Sequence, residues 1–281
     1  MNNLNINKMR KYVKSALLNL ILILIIITGC KKKENSEFTD YPIIESYLGL
    51  GEYFTVNVSR QIPFSSNVIY SPDDINNLAI TILYNDSTYL LTPIGNGKYI
   101  DSSLKVKEGD NYNLSFSYNS KIVTAYTYIP TKPINVTQSA TSISIQRMDT
   151  TSGFPIGGSI PDPIKITWDN PDASYYLVIV ENIEETLDPI RDFGDNAPPG
   201  NMFRKSPSNS SSEEIREMDF QYYGTHRIIL YHVLPDYAAL YEQSSTSSQN
   251  LTNPSISIVN GYGIFTGLNA DTLYVEVKEQ D

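Results

Sequence analysis

Residues 112–128 read YNLSFSYNSKIVTAYTY, and this stretch sets the class of the fold. Tyr112, Leu114, Phe116 and Tyr118 alternate with Asn113, Ser115 and Ser117, the period of two expected of a strand with one face in a core. After Asn119-Ser120, Ile122 to Tyr128 is again rich in β-branched and aromatic residues, so the two segments read as the arms of a hairpin. The same pattern recurs upstream in Tyr53 to Val58 and Leu78 to Tyr84. Gly95-Asn96-Gly97 and Glu108-Gly109-Asp110 supply turns where positive φ is cheap. Residues 41–131 therefore predict a small antiparallel β-sandwich, and Pro130 and Pro133 mark its boundary.

The remainder, 132–281, restarts in the same style. Val136 to Met148 contains a strand, and Arg227 to Leu234 and Leu273 to Lys278 add others. Ile164 to Pro171 followed by Tyr175 to Val180 resembles the first strands of fibronectin type III modules, with Trp168 as the aromatic between the sheets. A short helix is expected over 236–243, because Asp236 is a suitable N-cap and Tyr237, Leu240 and Tyr241 share one face. The expected fold is all-β: two tandem immunoglobulin- or fibronectin III-like sandwiches carrying one small helix.

The N-terminus reads as an export signal. Lys8, Arg10, Lys11 and Lys14 precede an apolar run from Ala16 to Ile27, too short for a membrane span of roughly 20 residues. The run ends Ile27-Thr28-Gly29-Cys30, which resembles the lipobox of bacterial lipoproteins. On this reading 1–29 is removed, Cys30 carries the lipid, and 30–40 is an acylated tether. Two or three acyl chains, at ~0.8 kcal/mol per buried methylene, hold a folded unit durably at a bilayer. Cys30 is the sole cysteine, so no thiol remains for catalysis and no disulfide can form within the chain. Cleavage removes four of the 21 basic residues and none of the 31 acidic ones, leaving 17 basic residues and a formal net charge of −14. Nucleic acid, whose phosphates need clustered Lys and Arg, is a poor partner for such a chain. Lys31 in place of Asp after the cysteine resembles an outer-membrane destination, and the mixed tether Lys31 to Glu37 loosely resembles a surface-export signal.

Motifs with chemistry are few. The sequence has no nucleophile elbow, zincin helix, phosphate loop or cysteine pair for zinc, and no cofactor is expected beyond the covalent lipid. Gly261, Gly263 and Gly267 read as a glycine-rich bend or bulge beside the last strand. His226 and His232 are expected on one strand face roughly 20 Å apart, too far to share a metal. The 21 tyrosines suit half-buried strands, with Tyr222 and Tyr223 kept as candidates for a ligand platform. The long insertion 182–220 loses the strand pattern and is either a docking loop or disordered. Asp188, Asp192 and Asp195 are its candidate oxygen ligands or partner contacts, and Arg204 is its candidate cation.

Several of these pieces come in a telling order: Pro42 to Leu48, Gly97-Lys98-Tyr99, Glu108 to Leu114, Thr124 to Pro130, the Trp168 segment, and Ile258 to Phe265. The order resembles the Bacteroidota outer-membrane lipoproteins catalogued as domain-of-unknown-function family 4249. That resemblance implies an outer-membrane lipoprotein associated with TonB-dependent receptors, with no catalytic residues to carry over. Two functions follow as expectations. One is a non-enzymatic binding or accessory subunit docked on an outer-membrane barrel and serving ligand uptake, its cell-surface location favoured over the periplasmic face. The other is a surface hydrolase of extracellular polymer; an envelope-assembly subunit is a third.

Overall fold

The computed structural model describes residues 40–61, 71, 73–148, 160–191, 196, 200–244 and 257–280. Cys30, the signal segment and the tether up to residue 39 lie outside them. The first eight strands are β1 (Pro42–Gly49), β2 (Tyr53–Arg60), β3 (Thr81–Tyr84), β4 (Ser87–Leu90), β5 (Thr92–Gly95), β6 (Lys98–Lys105), β7 (Asn111–Tyr118) and β8 (Lys121–Tyr128). The others are β9 (Ile134–Gln138), β10 (Ser142–Ile145), β11 (Ile164–Asp169), β12 (Tyr175–Asn182), β13 (Asp188–Pro189), β14 (Met202–Arg204), β15 (Ser212–Ile215), β16 (Tyr222–Val233) and β17 (Tyr262–Glu279). Two helices interrupt them, α1 (Asp73–Asn76) and α2 (Pro235–Ser244), with a 3₁₀ turn at Glu217–Asp219. The fold is all-β, in several sheets.

The hairpin expected over 112–128 is β7 paired with β8 in register from Asn111 with Tyr128 to Tyr118 with Lys121. Asn119 and Ser120 both take positive φ, 45° and 63°, which makes the two-residue connection a type I′ turn matched to the strand twist. Tyr112, Leu114, Phe116 and Tyr118 point into the core and the serines point out, as the alternation requires.

A ten-stranded sheet runs through the whole described unit in the order β14-β12-β16-β17-β1-β2-β6-β5, with β10 added to β17 and β13 to β16. The β4-β3-β7-β8 sheet packs on one part of it around Phe54, Tyr99, Tyr112 and Phe116. The β15-β11-β9 sheet packs on another around Ile166, Trp168, Tyr176 and Leu230. Trp168 occupies its expected place between the sheets.

The joint between the two parts is β17, an 18-residue strand where only Leu273 to Lys278 was expected. Its first seven residues lie parallel to β1, and from Leu268 onward it lies antiparallel to β16. Phe265 thus enters the first core and Val275 and Val277 the second. The glycine-rich bend is part of this strand. Gly263 has φ +105°, and a Cβ there would collide with the carbonyl oxygen of Ile44 on β1. At Gly267 the collision would be with the carbonyl of Tyr128, at the end of β8. Only glycine lets β17 approach this closely.

The insertion 182–220 departs from expectation. Its described residues contain a 3₁₀ turn and three strands that each pair with a neighbour: β13 with β16, β14 with β12 at the edge of the large sheet, and β15 with β11. Their sequences lack alternation because these are short, partly exposed segments whose hydrogen bonds come from established strands. Charge also ties the insertion to itself, since Lys205 reaches Asp219 at 2.6 Å and the carbonyl of Glu214 at 2.9 Å.

Candidate functional site

The large sheet has two faces, and the second is also covered. Along β12, Tyr176, Val178 and Val180 point into the Trp168 core, whereas Leu177 and Ile179 point outward. Ile229 and Val233 of β16 and Ile264 of β17 join them, and α2 lies over this outer layer. The helix begins after Leu234, where Asp236 accepts from its own neighbour, the Tyr237 N–H, at 2.8 Å and from the Thr266 hydroxyl at 3.0 Å. Burial raises the Asp236 carboxyl above the usual carboxylate range. Tyr237 is buried against the layer, with Leu240 and Tyr241 packed on the same side, which is the face the sequence predicts.

Beside α2 the layer opens into a cleft of about 430 Å³. Leu177, Ile179, Val233 and Leu268 floor it, and Tyr47, Tyr231 and Tyr237 wall it. Tyr237 meets Tyr47 edge-on, with ring centroids 5.9 Å apart, and Tyr241 at 5.8 Å. Arg204, at the end of β14, donates from Nη1 to the Tyr241 hydroxyl at 3.1 Å. That bond, ahead of all other influences, raises the guanidinium further above its ordinary value. Glu45, on β1, and Glu52, in the turn after β1, complete the lining.

The charges of this cleft are apart, not paired. Arg204 belongs to β14 and Glu45 to β1, and β12, β16 and β17 lie between them in the sheet. Among the described residues Arg204, Glu45 and Glu52 form no ion pair, whereas Arg60, Arg147, Arg216 and Arg227 all do. The tyrosine hydroxyls sense both ends. Tyr47 is raised chiefly by burial and next by Glu45, with Arg204 acting against them. Tyr231 is raised chiefly by burial; Glu52 pushes it up, and Arg204 pulls it down. Tyr237 is raised by burial and by its hydrogen bond with Tyr241.

Of the residues nominated from sequence, Arg204 alone lies in this cleft. Tyr222 and Tyr223 are buried at the start of β16, and Tyr223 donates to the carbonyl of Ile145 at 3.1 Å. Both are packing groups and offer no ring face to a ligand, because their side chains are buried and Arg147 lies over the Tyr223 ring. Asp188 is held bidentately by Arg147, with both bonds at 2.9 Å, and that guanidinium lowers its carboxyl. Arg147 also grips Glu279 and lies over the Tyr223 ring, so Asp188 belongs to a clamp closing the end of the sheet. Asp192 and Asp195 lie outside the described residues.

The histidines share one strand face, as their spacing predicts, and both are packed. His226 sits edge-on to Phe220 with Nδ1 3.0 Å from the Gly224 carbonyl, and His232 stacks on Tyr176 with Nδ1 2.8 Å from the Thr131 carbonyl. Among the described residues no group of three or more His, Cys, Asp or Glu is placed to hold a metal ion, and no helix is long and apolar enough to cross a membrane.

Glu45, Tyr47, Glu52 and Tyr231 were not singled out from sequence, and Tyr237 was read only as part of a helix face. One signal for the site was present: Tyr175 to Val180 reads YYLVIV, an unbroken apolar run, which means a strand covered on both faces. No protein-family model matches the chain, and no curated protein matches it in sequence. Fold and site together define an all-β protein with a charged, tyrosine-walled cleft on the outer face of its main sheet.

Proposed function

We propose that this protein is a lipid-anchored lipoprotein of the outer membrane, a divergent relative of the family its sequence order resembles, and that it binds a small ligand without transforming it. In this reading the lipid on Cys30 holds the unit at the membrane, and the bound ligand is passed to an outer-membrane barrel such as a TonB-dependent receptor. The observation that carries the binding role is the set of charges in the cleft that form no ion pair among the described residues. Charged side chains kept apart over an apolar, aromatic floor forgo the pairing found elsewhere in the molecule, and a pocket of this size with a few convergent polar groups is the usual form of a ligand site.

The test begins with the chain tagged after Asp281 and gently solubilised from native membranes. Co-elution of a barrel at fixed stoichiometry, together with loss of membrane retention in Cys30→Ala, supports the reading. A chain that stays on the membrane in Cys30→Ala refutes the anchor, and elution alone refutes the docking. The hydrolase reading draws on one feature, the two carboxylates Glu45 and Glu52 in a single cleft. Turnover of a polymer that Glu45→Gln or Glu52→Gln abolishes would favour it.

A further inference from the structure

We infer that the cleft takes short peptides with free ends, the carboxylate bound by Arg204 and the ammonium by Glu52 and Glu45. The inference rests on the binding role proposed above and assigns its ligand class.

A ligand carrying only negative charge would meet two carboxylates and a strongly acidic chain. A neutral glycan would cover Arg204, Glu45 and Glu52 without neutralising any of them, and desolvating unpaired charge is costly. A zwitterion satisfies both walls at once. The guanidinium presents a planar fork that donates to both oxygens of a carboxylate, and its one direct partner among the described residues, the Tyr241 hydroxyl, leaves most of its N–H groups for a ligand. An ammonium with three donors suits the acceptor-only carboxylates opposite.

Span points to the same class. Four strand spacings of ~4.8 Å separate β14 from β1 by about 19 Å across the sheet, and the pairings of Arg204 through Ile179 and Ile229 to Thr272, and of Glu45 to Ile264, also offset the two residues along β17, so the charged ends stand at opposite corners of the cleft. An extended peptide, which gains ~3.3 Å with each residue, can carry opposite charges to both corners, whereas a ligand charged at a single point cannot. Tyr231 lies between the two ends, within the influence of both Arg204 and Glu52, where it can pack against the middle of such a peptide. With two acids against one base, the cleft favours peptides carrying an additional positive charge near the amino end.

Calorimetry on the detergent-solubilised full chain tests this, with Lys-Ala-Ala, its N-acetyl and C-amide derivatives, and maltotriose as probes. The free peptide is expected to bind at least 10-fold more tightly than either blocked form. Arg204→Gln should remove the preference for the free acid over the amide, and Glu52→Gln the preference for the free amine over the acetylated form. Equal binding of free and blocked peptides, or binding of maltotriose alone, overturns the peptide assignment while leaving the cleft a binding site. Leu268→Trp, which fills the floor, separates the two failures: if any probe binds and this variant does not weaken it, the cleft is not the site. Absence of binding by every probe overturns the peptide assignment as well.

Discussion

At the scale of single residues, the contacts that matter most are those that leave no room. Gly263 combines a positive φ with a carbonyl where a side chain would begin, so Gly263→Ala incurs both backbone strain and overpacking. The expected cost is about 3 kcal/mol, read as a thermal midpoint lower by roughly 6–12 °C. Gly200, with open space around its Cα, is the control, and its alanine variant should unfold like the parent. If the two variants behave alike, close approach is not what the glycine provides. The histidines give a second handle. Burial is the main influence on both rings and lowers them from the ordinary 6.5, so the folded protein holds neutral imidazoles that the unfolded chain would protonate. Below about pH 6.5 the unfolded state binds more protons, and stability must fall with pH; above it the contribution is flat. Thermal melts between pH 7.5 and 5 should show that decline, and His232→Phe, which keeps a ring against Tyr176, should make it shallower.

Elements show why part of this fold was legible and part was not. The 112–128 hairpin was readable because each of its strands has one wet face, and α2 because three ring and aliphatic side chains recur at helical spacing. Residues 202–204 and 212–215 gave no such signal, since short edge segments take their pairing from a neighbour and not from their own pattern. The cleft was hidden for a related reason. Its residues are outward positions on five different strands, a turn and a helix, and their meeting depends on sheet order, which periodicity does not encode. Helix α2, ten residues long, is too short to persist alone and depends on its docked face. Tyr237→Ala should cost about 2–4 kcal/mol of that docking. The expected result in hydrogen exchange is fast exchange of α2 amides with β7 and β8 still protected; equal acceleration in both places would mean that the helix is no separate unit.

For the molecule as a whole, tyrosine does much of what a disulfide-free core needs. Tyr99 donates to the Ile75 carbonyl and accepts from the Leu78 N–H, and Tyr84 donates to Asp110 at 2.6 Å, so large rings are buried with their hydroxyls satisfied. The two cores are joined through β17, and they are expected to melt together. The single tryptophan, Trp168, reports on the second core alone, while far-ultraviolet dichroism reports on all strands. Coincident urea transitions by the two probes are the expected result, and a split would show that the halves unfold independently. The placement of β17 also sets an order of events in time. The latest of the described strands in the chain lies in the interior of the large sheet, between β16 and β1, and fills the first core with Phe265. A ribosome that has made the chain only through β8 has left β1 with an open edge and the first core without Phe265, so the early part of the chain is expected to settle only when the late part arrives. Were the protein exported as proposed, that wait would keep the chain threadable until nearly all of it had been handed over.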